Sequence, residues 1–152
     1  MDNEAISRIS KAFKESVRKA YVAAGGSVNG KGVYVGPLDD PDAAGARLIL
    51  FLYRIVPNPT LRNQDHVVVS PDPDRARVTF TNSLALDLYY LLTVGDGECE
   101  QQDLEQLKYL GAVMLHLHRN AALTGAGVDY EPVRVSLDPL SNEEMIGRVA
   151  DM

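Results

Sequence analysis

An α+β fold, with a mixed, mainly antiparallel sheet packed against two main helices, is the architecture this sequence predicts. Three observations carry it. Two segments repeat apolar residues at three- and four-residue intervals, and two others are strand-length runs of nearly unbroken apolar character. The strands also run together before the second helix instead of alternating with helices, which disfavours a doubly wound sheet.

The first helix is read from Ile6, Ile9, Phe13, Val17, Ala20, Tyr21 and Ala24, which form one stripe against Lys11, Lys14, Glu15, Arg18 and Lys19. Asp2 or Asn3 can cap its start and Gly25-Gly26 supplies a stop. A short strand over 32–35 follows, then a Gly/Pro/Asp-rich surface loop over 36–45. Arg47 to Val56 is apolar at almost every position and ends at Pro57, as expected of a strand buried on both faces. Residues 58–77 are polar and Pro-rich, with Val67 to Val69 as a short strand and Arg77 to Thr81 as another local element. Leu84 to Val94 is the second long strand, with the even-numbered residues on one face and the odd-numbered ones opposite.

Gln101 to Asn120 reads as the second helix. Its expected core face carries Leu104, Leu107, Leu110, Met114, Leu117 and Ala121, with Glu105, Lys108, Ala112 and His116 pointing away. Val133, Val135 and Leu137 alternate with polar residues as a half-buried strand, and Ser141 with Glu144 forms a capping box for a last short helix.

At 152 residues the chain is expected to be a single domain, 1–152. A net charge of −6, with basic residues clustered only from Lys11 to Lys19, argues against a duplex nucleic-acid partner. Cys99 is the sole cysteine, which rules out an internal disulfide and a thiolate metal cage. The N-terminal thirty residues lack the apolar run of a signal peptide, and no stretch approaches a membrane span. The expected location is the cytoplasm on synthesis and assembly, with exit only as part of something larger or by lysis.

Several residues tempt a chemical reading. Gly25 to Lys31 matches the start of a phosphate-binding loop, but Gly32 stands where Ser or Thr should ligate magnesium, and the segment follows a helix instead of opening one. A glycine linker is the ordinary reading. His116 and His118, two residues apart on a helix, diverge by about 200°, so they do not make a metal pair. Asp87 within an apolar strand reads as an acid at a surface, or one paired with a neighbour such as Arg54, because no second catalytic group is placed beside it. No catalytic residue, metal or cofactor is therefore assigned.

One feature asks for a partner. Two long strands carry large apolar residues on both faces, and two helices can cover only one of them. Either a tightly curled sheet or another chain must cover the rest. The segment from Asn58 to Ser83 is long for an unstructured connection, and Asn58, Leu61, Arg62 and Asn63 are its candidate partner-binding residues, with a merely mobile loop as the competing reading.

The run Leu50-Phe51-Leu52-Tyr53-Arg54 followed by Asn58-Pro59 and Leu61-Arg62-Asn63 resembles a signature of the cap, or tail-terminator, family of extracellular contractile injection systems. The block from Leu84 to Thr93 is similar to that family's leucine-aspartate-leucine segment, although Ser83 stands where a proline is often seen. Leu110-Gly111 through Leu123-Thr124-Gly125 and Ser141 to Glu144 supply two further blocks, in the same order. The resemblance implies a tail-terminator-like fold and a non-enzymatic subunit of a ring, expected to be hexameric, that closes the end of sheath and inner tube. Its implied partners are its own copies and the sheath and inner-tube subunits, with no nucleic acid and no membrane. The alternatives are a monomeric peptide-binding adaptor and a small enzyme with an unrecognised pocket.

Overall fold

The computed structural model describes residues 4–26, 32–61, 66–68, 78–80, 84–95, 100–123 and 133–138. Helix α1 (Ala5–Ala23) buries Ala12, Phe13, Val17, Ala20 and Tyr21 along one arc, as its periodicity predicts. Its end is closed by Gly25, at φ 101°, and Gly26, whose amides return to Val22 and Tyr21 carbonyls. Only glycine takes that left-handed step without strain. The expected caps Asp2 and Asn3 lie outside the described residues.

Strand β1 (Val33–Val35) pairs parallel with β2 (Leu48–Pro57), which pairs antiparallel with β5 (Leu86–Val94), giving a mixed three-stranded sheet in the order β1-β2-β5. The intervening β3 (His66–Val68) and β4 (Val78–Phe80) pair antiparallel in a ladder of their own. After helix α2 (Glu100–Arg119) comes β6 (Ala122–Leu123), which the sequence did not suggest, paired with β7 (Val133–Arg134). An α+β architecture of two helices and a mixed sheet is thus present, with the long strands within two residues of their expected bounds.

Both helices lie on one face of the sheet, α1 over β1 and α2 over β5. Val17, Leu48, Leu50, Val113 and Leu117 are fully or almost fully buried there, and Tyr90, Leu92 and Val94 of β5 pack against them. Phe13 meets Tyr90 edge-on at 5.0 Å, and Tyr21 meets Tyr109 at 4.8 Å, so aromatic contacts tie α1 to both the sheet and α2.

Four expectations need correction. Strand β2 is not buried on both faces along its length: only Leu48, Ile49 and Leu50 are buried, and exposure rises toward Pro57, because the helices do not reach that end. Leu137 does not join the core. Regular pairing of β7 stops at Arg134, and Leu137 is 51% exposed while Val133 and Val135 still pack inward. Helix α2 is rotated from the expected face: Gln106, Val113 and Leu117 are buried and His116 is half-buried, whereas Leu104, Leu107, Met114 and Ala121 are exposed. The cause is α1, which lies against the side of α2 bearing Tyr109 and His116 and so turns Val113 into the seam. Arg54 does not pair with Asp87, as the next section describes. The proposed last helix from Ser141 lies outside the described residues.

Candidate partner interface

The far end of β2 and β5 is organised by Asn58. Its side-chain oxygen accepts from the Thr60 and Leu61 amides at 2.9 and 3.1 Å, which folds the chain into a tight turn right after the strand. Its amide nitrogen donates to both oxygens of Asp87 at 3.2 Å, and its backbone N–H donates to Ala85 O at 2.9 Å. So Asn58, picked out from sequence as partner-facing, is mainly a bracket holding the start of the 58–83 segment against β5. Asp87, which tempted a catalytic reading, is the acceptor of that bracket. Leu61 is exposed beside it, while Arg62 and Asn63 lie outside the described residues.

The sheet face opposite the helices carries Phe51, Tyr53, Tyr89 and Leu91. Phe51 is paired with Leu91, next to Leu50 on one strand and between Tyr90 and Leu92 on the other, all three of which belong to the helix-side core. Between Leu52 and Arg54 the register slips by one, so Tyr53 is an extra residue. The bulge brings Tyr53 and Arg54 both against Tyr89: the two tyrosine rings lie 6.3 Å apart, and the Arg54 guanidinium sits 5.3 Å over the Tyr89 ring. Arg54 thus spends its charge on an aromatic face instead of on Asp87. Among the described residues, the cover on this outer face lies on its β1 side. There the loop containing a 3₁₀ turn (Pro41–Ala43) lays Ala43 and Ala46 on Ile49, with Tyr34 and Leu38 packed alongside. Tyr34 donates to Asp40 Oδ2 at 2.5 Å, and this bond, with desolvation and the nearby acids, pushes its pKa up to about 12. Phe51, Tyr53, Tyr89 and Leu91 are left half-buried.

A second apolar surface is the ridge of α2. Leu104, Leu107, Met114 and Leu115 are 68%, 52%, 43% and 48% exposed. With Gly111 they fall within about 100° of arc, some 130° round the helix from the buried Gln106, Val113 and Leu117. Periodicity alone assigned three of these four to the core. The signal that could have separated them was present, since apolar residues cover more of this helix than one face can bury.

Gln106 is buried with neither amide atom hydrogen-bonded among the described residues. The histidines diverge as their spacing demands, but the rotation of α2 puts His116 in the seam with α1 and leaves His118, expected beside the core stripe, outside it. His118 is exposed, while His116 Nε2 approaches Ser16 Oγ at 3.4 Å and Asn120 Nδ2 approaches His116 Nδ1 at 3.4 Å. Asn120 Nδ2 also donates to His116 O at 3.1 Å, so the asparagine anchors this end of the Ser-His-Asn row. The row ties α1 to α2. Among the described residues no group of three or more His, Cys, Asp or Glu side chains could hold a metal ion, and no helix is long and apolar enough to cross a membrane.

No curated protein and no solved structure matches the chain. A family model described as the Pvc16 N-terminal domain matches residues 8–146, nearly the whole length. Pvc16 is associated with the phage-tail-like Photorhabdus virulence cassette, which agrees with the contractile-injection-system resemblance in the strand and helix blocks. On that match the chain belongs to the Pvc16 N-terminal domain family, a family of contractile injection system components.

Proposed function

We propose that this chain is a structural, non-enzymatic cap subunit that closes the end of the sheath and inner tube of a contractile injection particle, working as a ring, most simply a hexamer. The family match over residues 8–146 carries the reading. The surface supports it. Large hydrophobic residues stand exposed on α2 and half-covered on the outer sheet face, as expected of a subunit whose remaining cover comes from other chains. A head-to-tail contact that closes by rotation makes a ring, and a ring of matching symmetry can end a stacked polymer.

The test is reconstitution with the sheath and tube subunits of a contractile injection particle. Particles assembled with the chain should have uniform length and one closed end in electron micrographs, and tagged chain should retain sheath or tube subunits. Particles of unchanged length and closure without the chain, or failure to retain either subunit, would refute the role. A monomeric peptide-binding adaptor is the second reading. It draws on the nine-residue strand β5, which has β2 as its one partner among the described residues and so offers an edge for strand addition.

A further inference from the structure

The two apolar surfaces differ in position and in the charges around them. The α2 ridge lies on the helix side of the molecule, facing away from α1, with His118 exposed within it, Glu105, Lys108 and Arg119 exposed along its flank, and Lys11, Glu15 and Lys19 exposed on neighbouring α1. The outer sheet patch lies on the opposite side, with exposed Arg54 stacked on its Tyr89, and is bordered by the loop that carries Asp39 and Asp42, both exposed. The ridge over β5 is apolar and α1 over β1 is basic. Across the sheet, the β2–β5 patch is aromatic and aliphatic around Arg54, and the loop over β1 is acidic.

We propose that successive copies of this chain dock head to tail, the α2 ridge of one copy seating on the outer sheet face of the next. The occupant of each surface is thus a second copy of the same chain. Three observations select that pairing. Four ridge side chains, each about half exposed or more, leave a patch of a few hundred Å², of the size that marks interaction sites. That is about half of the roughly 800 Å² each partner gives to a stable interface, and the half-covered aromatic patch and loop contacts can complete it. Charge favours ridge on sheet over ridge on ridge, because the helix side is basic on balance even with Glu105 and Glu15, whereas the loop beside the sheet patch adds Asp39 and Asp42 to a face whose cation, Arg54, is engaged on Tyr89. Self-pairing at either surface also leaves the other uncovered. Cross-pairing uses both at once, and a closed ring leaves none exposed. This inference rests on the ring-subunit reading above but names which surfaces meet.

Two full-length variants test it, by size-exclusion chromatography with light scattering and with circular dichroism and thermal melting as checks on folding. Leu107→Asp spoils the ridge and Tyr53→Asp spoils the sheet face. Each alone should be folded and monomeric where the unaltered chain is a ring. Mixed in equal amounts they should form a heterodimer and nothing larger, because one intact ridge meets one intact sheet face. Should Tyr53→Asp fail to fold, Leu91→Thr takes its place with the same expected outcome. Either variant keeping the unaltered oligomer size overturns the proposal. So does Leu107→Asp as a monomer beside Tyr53→Asp as a dimer, which is the signature of ridge self-pairing, and so does an unaltered chain that is monomeric throughout. Retention of sheath or tube subunits in any of these cases leaves the cap reading standing while the docking mode falls.

Discussion

Helices α1 and α2 are nearly equal in length and lie side by side on the same sheet, yet they spend their apolar residues differently. In α1 the buried arc of Ala12, Phe13, Val17, Ala20 and Tyr21 is flanked by half-buried Ile9 and Val22 packed against the same core, and Lys11, Glu15, Arg18 and Lys19 face solvent. Helix α2 buries Val113 and Leu117, and then presents Leu104, Leu107, Met114 and Leu115 outward. The first helix is satisfied by its own chain. The second buries one arc and leaves an apolar ridge exposed.

The contrast is broken or upheld most sharply by leucine truncations. Leu50, fully buried beneath both helices, should lose about 2–5 kcal/mol on conversion to Ala, the range for large-to-small changes in a core. Leu107→Ala should change the stability of the isolated chain by no more than about 0.5 kcal/mol, as for a surface site. Urea unfolding of the two variants, measured below the concentration at which copies associate, gives both numbers. A similar loss at both positions would mean that the ridge is part of the intrachain core.

Polar groups sharpen the same comparison. Gln106 sits on the buried arc of α2 with both amide atoms unpartnered among the described residues, whereas half-buried Asn58 uses its oxygen and nitrogen in four contacts. An unpaired buried amide costs about 1–3 kcal/mol, so Gln106→Leu, similar in volume, should raise stability by up to about that amount. Asn58→Ala should lower it by about 1.5–3 kcal/mol, since it removes a bond to a carboxylate together with the turn. Thermal melting of the pair should move in opposite directions. A loss of stability in Gln106→Leu would show that the amide does have partners.

Much of the fold was legible because its signals are local. The stripe of α1, the Gly25-Gly26 stop and the period-two alternation from Leu86 to Val94 each follow from a few neighbouring residues. The face of α2 was not legible, because three turns of leucine and methionine satisfy a core pattern whichever way the helix turns, and only the position of α1 fixes the rotation. Strand β6 was missed for a related reason: two residues, Ala122 and Leu123, are too few to show any period, and their pairing depends on Val133 and Arg134 ten residues on. Of the candidate contact residues, Asn58 has an intrachain task that its spacing did not announce. Its side chain is drawn inward by Asp87, a contact 29 residues away that spacing cannot reveal.

The smallest expected effect separates the two faces of the sheet by pH. Tyr34, on the outer face, is pushed up to about 12 chiefly by its hydrogen bond to Asp40, and then by desolvation and the charges of Asp40 and Asp42. Tyr90, on the helix face, is raised by burial, with its bond to Ser10 Oγ at 2.6 Å opposing. A phenol whose pKa is raised on folding favours the fold in its neutral form. Its contribution is complete below the unfolded tyrosine value of about 10 and drains away as pH climbs from there through about 12. Melting temperature should therefore fall over that window more than in Tyr34→Phe, which has no proton to lose at this position, while the two proteins should show the same pH dependence from pH 7 to 9. Tyr90→Phe should remove the part of the slope belonging to the helix face. Equal slopes in the unaltered chain and Tyr34→Phe would mean that the loop over the outer face already yields in the folded state and that Asp40 does not hold the phenol there.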